Sequence, residues 1–333
     1  MDYTYLGRTG LKVSRLCLGT MNFGPRTEEK DAFRILDMAL DAGINYVDTA
    51  NIYGILHGSH ENNHPGWTEE ILGRWFAQGG QRRDRVILAT KVYCNMKDPS
   101  EGPNGDGNSA YKIRRHVEGS LRRLQTDHID IYQMHHIERH APWTEIWAAF
   151  ERLTLQGKII YTGSCNFAAR HLVTAQYEAE KRNFLGLVSE QDKYNLVNRL
   201  PELEVLPAAK ELGIAFLPWS PLHGGYLSGS MLKNRANSRG AEEFAAGLTP
   251  FQLQQLAEYS KLCAELGETE ADVALAWLLH NPYVTAPIIG PRTVQQFQSA
   301  LHAMEISLSD DVLAELDRIF PGPGGQAPEV YAW

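Results

Sequence analysis

The stretch NYVDTANIYG, residues 45–54, continues an apolar run from Ile44 to Val47 directly into a carboxylate, Asp48, and after a short loop reaches Tyr53. Two further segments repeat the design: residues 86–90 lead into Lys91, and residues 129–134 lead into His135. Short apolar runs of this kind suit buried strands. When parallel strands close into a barrel, their C-terminal ends all open on one face, so residues far apart in sequence meet there. Asp48, Tyr53, Lys91 and His135 are therefore candidate partners in one site.

The same alternation fills the chain on either side. Candidate strands at 15–18, 45–48, 86–90, 129–134, 159–163, 186–189, 214–217 and 285–289 alternate with amphipathic stretches of helical length. This is the mark of βα units on a parallel sheet, and eight such strands predict an α/β fold closed as a (β/α)8 barrel. Residues 3–14 suit a hairpin ahead of the barrel. Within 142–156, Trp143, Ile146, Trp147, Phe150 and Leu153 share one helical face, with Pro142 suited to the first helical position. Thr269 and Asp272 form a capping-box pattern ahead of an apolar run. No linker-like segment divides the chain, so residues 1–333 read as one domain, with 321–333 as a C-terminal tail. The connections 53–67, 92–109 and 221–250 are long for βα loops and are expected to shape a substrate pocket.

Of 333 residues, 43% are hydrophobic and 22% charged, enough to bury a large core. With 32 Lys and Arg against 40 Asp and Glu the net charge is −8, and no basic run could neutralise a phosphate backbone, so nucleic acid is not an expected partner. The N-terminus lacks the basic-then-apolar pattern of a signal peptide, and no apolar run reaches the ~18 residues of a membrane span. A cytoplasmic protein with no membrane partner is expected. Cys17, Cys94, Cys165 and Cys263 show no CxxC spacing, which fits reduced thiols.

The chemistry of the four strand-end residues is coherent. A tyrosine with an ordinary pKa of about 10 is a poor acid unless a cation stabilises its phenolate, and Lys91 can supply that charge. A buried lysine tends to lose its proton, and Asp48 beside it would hold the ammonium form. His135 can hydrogen-bond a substrate oxygen and orient it. A proton donor, its activator, a counter-ion and an orienting group together fit reduction of a carbonyl by hydride delivery.

Eight stretches carry a family likeness: GTMNFG (19–24), NYVDTANIYG (45–54), ATKV (89–92), DIYQMHH (130–136), YTGSCNF (161–167), SEQDKYN (189–195), WSPL (219–222) and IIGPRTVQQ (288–296). With these the chain resembles the aldo-keto reductases over nearly its whole length. The resemblance implies a (β/α)8 barrel binding NADP(H), with Asp48, Tyr53, Lys91 and His135 in the places of the catalytic tetrad. It also implies a cofactor site. Gly19, Thr20, Met21, Asp48 and Cys165 would contact the cofactor, Asn166 and Gln191 would hold the nicotinamide carboxamide, and Trp219 would stack on its ring. Ser220, Pro221, Leu222, Gly224 and Gly225 would follow the pyrophosphate, and Gly290, Arg292, Thr293 and Gln296 would surround the adenosine 2′-phosphate. Two positions depart from the family: Cys165 replaces a usual serine, leaving a weaker thiol contact, and Ala300 replaces an asparagine that commonly meets adenine.

Other motifs resolve differently. No G-x-G-x-x-G follows the first strand, and GPNGDG (102–107) and GGYLSG (224–229) lack the pattern, so a two-domain dinucleotide dehydrogenase is excluded. HHIERH (135–140) lacks the spacing of a zinc motif. His57, His60 and His64 lie in a polar insert that reads as a substrate loop, and no metal is expected. Cys165 reads as inert packing. The tail GPGGQAPEVYAW is either disordered or folded back so that Tyr331 and Trp333 cover the pocket.

The expected function is interconversion of an aldehyde or ketone and an alcohol, a small-molecule substrate, with NADP(H) as cofactor. Segments 75–84 and 135–143 are also similar to relatives acting on nucleotide-linked deoxysugars, a reading that a basic groove near the long loops would favour. The potassium-channel β subunits share the family fold, which gives a third reading, a redox-sensing subunit.

Overall fold

The computed structural model describes residues 1–55, 64–232 and 247–331. An antiparallel hairpin comes first, β1 (Tyr3–Tyr5) paired with β2 (Lys12–Ser14). Eight parallel strands follow: β3 (Cys17–Gly19), β4 (Tyr46–Asp48), β5 (Ile87–Val92), β6 (Ile129–Met134), β7 (Ile159–Cys165), β8 (Leu187–Lys193), β9 (Ala215–Trp219) and β10 (Ile288–Ile289). They are ordered β10-β3-β4-β5-β6-β7-β8-β9. Phe216 bridges to Val284 just ahead of β10, and the Thr285 amide donates to the Phe216 carbonyl at 2.9 Å, which brings the two ends of the sheet together. The result is a nearly closed (β/α)8 barrel.

Helices cover the outside: α1 (Glu29–Asp41), α2 (Trp67–Phe76), α3 (Ala110–Leu124), α4 (Trp143–Leu155), α5 (Ala169–Glu180), α6 (Val205–Glu211), α7 (Pro250–Leu266), α8 (Glu270–His280), α9 (Val294–His302) and α10 (Asp310–Ile319). The face of α4 that packs inward carries Ile146, Trp147, Phe150 and Leu153, as its spacing predicts. Pro142 sits at the N-cap with extended φ and ψ rather than at the first helical position, so its carbonyl, not its ring, starts the helix. Thr269 caps α8 by accepting from the Asp272 amide, but the Asp272 carboxylate accepts from the Thr269 hydroxyl at 2.7 Å and from Ser299 at 2.5 Å. Aspartate is one methylene shorter than the glutamate of a full capping box, and Ser299 on α9 competes for it.

The hairpin closes the floor. Leu6 and Val13 pack with Cys17, Tyr46, Ala89, Ile131, Val188 and Ala215 inside the barrel. Arg8 donates from its amide to Gly213 O at 2.7 Å, and the Ser14 amide donates to Asn45 Oδ1 at 2.8 Å. Gly7 has φ +54, and a Cβ there would lie 2.4 Å from Gly213 O, so only glycine permits this approach. With the strand N-termini covered, the C-terminal ends are the accessible mouth. The tail is tied to the segment just ahead of α6, where the Ala327 amide donates to Leu203 O at 2.9 Å. Trp333 and the Tyr331 side chain lie outside the described residues, as do His57 and His60.

Candidate active site

The register of the parallel strands places the polar residues. Gly19 pairs with Asp48, Asp48 with Ala89, and Lys91 with Gln133, so Lys91 and Gln133 stand two residues beyond Asp48 towards the barrel mouth and reach its carboxylate through their side chains. Asp48 is the last residue of β4, and β5 continues past residue 90 to include Lys91. Lys91 Nζ is a three-way hub, donating to Asp48 Oδ2 at 2.5 Å, Thr49 O at 2.8 Å and Tyr53 Oη at 3.2 Å. Lys91 is 1% exposed and Asp48 2% exposed, so the pair is removed from water. Burial alone would drive the lysine pKa down. The Asp48 charge, aided by Tyr53 and Cys165, outweighs this and raises it above its ordinary value, so the ammonium persists.

Asp48 is held on its other oxygen too. Gln133 Nε2 donates to Oδ1 at 3.0 Å and Gln191 Nε2 at 2.6 Å, while Gln191 also donates to Gln133 Oε1 at 2.9 Å. Thr20 fixes the Asp48 backbone, its amide and hydroxyl both donating to Asp48 O, at 3.0 and 2.9 Å. Gln133 escapes a sequence reading that stops at strand ends. Its signal is present nonetheless, since it is an amide side chain set among Ile131, Tyr132 and Met134 and shares the face of His135 two residues on.

Tyr53 behaves differently from the expectation of a cation-lowered phenol. Burial dominates, pushing its pKa up to about 12, and Lys91 only moderates that rise. The phenol is therefore fully protonated at neutral pH and poised as a donor. His135 meets Tyr53 edge to face, ring centroids 6.0 Å apart, and stacks on His136 at 5.2 Å. Burial, then the charges of Lys91 and His136, hold the His135 imidazole well below its ordinary pKa, so it is neutral. Its Nδ1 is buried without a partner among the described residues. An unpaired buried nitrogen beside a protonated phenol leaves a polar atom that a ligand can satisfy.

A second group lines the adjoining strand ends. Asn166 Nδ2 donates to His135 O at 3.1 Å and to Cys165 Sγ at 3.1 Å, and Trp219 Nε1 donates to Asn166 Oδ1 at 3.1 Å. The Trp219 ring is thus fixed by its edge, with Lys193 Nζ 6.0 Å from its centroid. Asn166 and Ser220 adopt left-handed φ values of +61 and +55, and the Ser220 carbonyl is held by buried Asn195 at 2.9 Å. Non-glycine residues in this region store strain, which concentrates at ligand sites. The turn after β9 stays left-handed at His223, Gly224 and Gly225, but the amides of all three donate within the turn. Pro221 and Gly224 are buried there, and Leu222 is half-buried.

Gly290, Arg292, Thr293 and Gln296 form a third group at the start of α9. Gly290 O accepts from Asn22 at 2.8 Å and Arg292 O from Thr27 at 3.1 Å, which ties this group to the loop after β3. Thr293 caps α9, whose first turn has no acidic residue. A half-buried guanidinium beside such a helix start suits a phosphate. Met21 is half-buried on the neighbouring rim. Ala300 is 6% exposed, packed in the core.

The expected histidine insert yields one described residue, His64, which pairs with Glu70 at 3.2 Å and stacks on Trp67. No group of three metal-ligating side chains occurs among the described residues, nor any helix long and apolar enough to cross a membrane. Burial pushes the Cys165 thiol pKa well up.

Comparison with known proteins matches residues 15–320 to the Aldo/keto reductase family. An uncharacterized oxidoreductase, YrpG, of Bacillus subtilis (strain 168) is 61% identical across 100% of both chains. Aldo-keto reductase AMT2 of Alternaria alternata is 32% identical over 95% of this chain and 90% of its own. A probable voltage-gated potassium channel subunit beta of Oryza sativa subsp. japonica is 30% identical over 96% of each chain.

Proposed function

The chain belongs to the aldo/keto reductase family, and from that membership we propose that it is an NADP(H)-dependent oxidoreductase interconverting a small aldehyde or ketone and the corresponding alcohol. The observation that carries this reading is the Lys91 ammonium shared between Asp48 and the protonated Tyr53 hydroxyl. A bound nicotinamide cofactor supplies or accepts the hydride. Tyr53 gives its phenolic proton to the carbonyl oxygen in reduction and recovers it in alcohol oxidation. Lys91, kept charged by Asp48, stabilises the phenolate left behind. Neutral His135 fixes the direction of the substrate oxygen.

The donor set fits such a cofactor. Asn166 and Gln191 stand where a carboxamide would lie and would exchange bonds to their neighbours for bonds to it, since the Gln191 NH2 group is spent on Asp48 and Gln133 and the Asn166 NH2 group on His135 O and Cys165. The edge-fixed Trp219 offers a flat face for a ring, with Gly19, Thr20, Met21 and Cys165 bordering it. The turn from Ser220 through Pro221, Leu222, Gly224 and Gly225 would take the pyrophosphate, with the His223, Gly224 and Gly225 amides first released from their bonds within the turn. Gly290, Arg292, Thr293 and Gln296 take a 2′-phosphate, which is the basis for NADPH over NADH. We read residues 1–333 as one domain of a cytoplasmic enzyme. The test is loss of the NADPH absorbance on mixing purified protein with aldehydes, ketones, quinones and keto-sugars, repeated with NADH. Consumption favouring NADPH supports the reading, and none on any compound counts against it.

The rice relative named as a potassium channel subunit supports a second reading, a redox-sensing binding subunit, whose signature is slow cofactor release with no carbonyl turned over. A cavity of about 530 Å³ on α3 and α4 in the outer wall is lined by Arg114, Arg115, Arg122 and Arg152 with Glu118 among them. The nucleotide-sugar reading calls for a basic groove among the long loops, a different place.

A further inference from the structure

A buried polar chain adjoins the Asp48 cluster and has no part in the chemistry just described. Asn51, Glu101, Lys112 and His116 are 0%, 5%, 1% and 4% exposed. Asn51 Nδ2 donates to His116 Nδ1 at 3.0 Å, and His116 Nε2 meets Glu101 Oε1 at 2.5 Å. An amide NH2 group can only donate, so Nδ1 accepts and Nε2 carries the proton that it gives to the carboxylate. Glu101 Oε2 faces Lys112 Nζ at 3.5 Å, and that ammonium also donates to the carbonyls of Cys94, at 3.0 Å, and Gly105. Lys112 thus gathers both limbs of the loop 92–109, and His116 carries the connection to Asn51.

Asn51 lies two residues before Tyr53. Its amide donates to Lys91 O at 3.2 Å, and the Tyr53 amide donates to Ala50 O at 3.1 Å. The same loop also reaches the His135 side, for Asn108 Nδ2 donates to His136 O at 2.8 Å and Tyr93 packs edge-on against His136 at 5.2 Å. Burying charged groups is a poor way to gain stability alone, since apolar residues of the same bulk do as well. A hydrogen-bonded chain fixes direction, which apolar packing does not.

We propose that His116 is a positioning residue: by fixing Asn51 it holds the turn carrying Tyr53 against Lys91, and it couples that geometry to the order of the loop 92–109. The inference rests on the reading of Tyr53 as proton donor. Burial, with the Lys112 charge next, lowers the His116 pKa, which keeps the ring neutral as an Nδ1 acceptor must be.

Three variants test it. His116→Leu removes both bonds at similar bulk. His116→Gln keeps an acceptor for Asn51 and a donor for Glu101. Asn51→Ala cuts the link on the Tyr53 side and leaves the Glu101, His116 and Lys112 contacts in place. A misplacement on the order of 1 Å costs about 100-fold in rate, so His116→Leu and Asn51→Ala are expected to lower kcat by about 10- to 100-fold with NADPH affinity nearly unchanged, and His116→Gln to recover most of it. Variants that lose only thermal stability while keeping kcat, or a His116→Gln as slow as His116→Leu, overturn the proposal. Proteolysis within 92–109 is read alongside and does not depend on turnover. If the wild type reduces no carbonyl, the functional reading fails, and the loop still decides the coupling. Several-fold faster cleavage in Asn51→Ala, whose substitution lies outside the loop, supports it, and unchanged cleavage overturns it.

Discussion

Replacing Asp48 with asparagine keeps the shape of the site and removes one charge from its most enclosed pair. Three donors converge on the carboxylate, from Lys91, Gln133 and Gln191 at 2.5, 3.0 and 2.6 Å. Asparagine has a single acceptor oxygen, so whichever way it turns its NH2 group faces a donor. Removing one partner of a buried pair costs about 3–5 kcal/mol, because the other charge is left unpaired. Lys91 can escape by losing its proton, which from an ordinary pKa of about 10.4 costs about 4.6 kcal/mol at neutral pH, so the loss has a ceiling. The pH dependence follows. In the wild type the Lys91 pKa is raised, so its contribution is fully present below about pH 10.4 and is lost only above it. In Asp48→Asn a neutral folded Lys91 faces a protonated unfolded one, so the variant gains up to about 1.4 kcal/mol per pH unit as pH rises towards 10. Urea unfolding followed by circular dichroism at neutral pH and at about pH 9.5 measures this. With an m value of about 3 kcal/mol/M the midpoint falls by about 1–1.5 M at neutral pH, and the gap narrows at high pH. A shift under about 0.3 M, or a gap that widens with pH, refutes the argument.

Other expectations are as direct. Gly73→Ala places a Cβ 2.0 Å from Arg123 O, where α2 crosses the end of α3, so overpacking should cost about 3 kcal/mol in the same urea assay. Arg292→Gln should raise KM for NADPH by about 10- to 100-fold and leave KM for NADH nearly unchanged, the value of charge-assisted bonds to a phosphate. Tyr53, with a pKa pushed up to about 12, should add no phenolate absorbance, wild type against Tyr53→Phe, until well above the usual pH of about 10. Its contribution to stability is correspondingly complete below about pH 10 and lost as pH climbs towards 12.

The barrel was legible because each strand is a compact apolar run: residues 129–134 match β6 at both ends. Errors fall where pairing, not composition, sets the boundary. Residues 285–287 look like strand, yet β10 holds only Ile288 and Ile289: Pro287 has no N–H to give a ladder, and Val284 makes only an isolated bridge to Phe216. Residue 91 looks like the end of an apolar run, yet the ladder to Gln133 draws it into β5. Within the site, Asp48, Tyr53, Lys91 and His135 stood out as polar residues at strand ends. The dominance of burial over the Lys91 charge at Tyr53 could not be read from sequence, since both depend on how deep the ring sits. Glu101, Lys112 and His116 follow no strand-end pattern in the sequence. Only the fold turns them towards Asn51, about 50–65 residues away in the chain.

The central claim is that Tyr53 donates the proton. The direct test is a single-turnover measurement of NADPH oxidation with a carbonyl that the wild type reduces, for wild type and Tyr53→Phe, alongside NADPH affinity by fluorescence. The account predicts that the variant binds NADPH as the wild type does and loses at least about 100-fold in the oxidation rate, the range of general acid catalysis. Equal oxidation rates at equal affinity would contradict it.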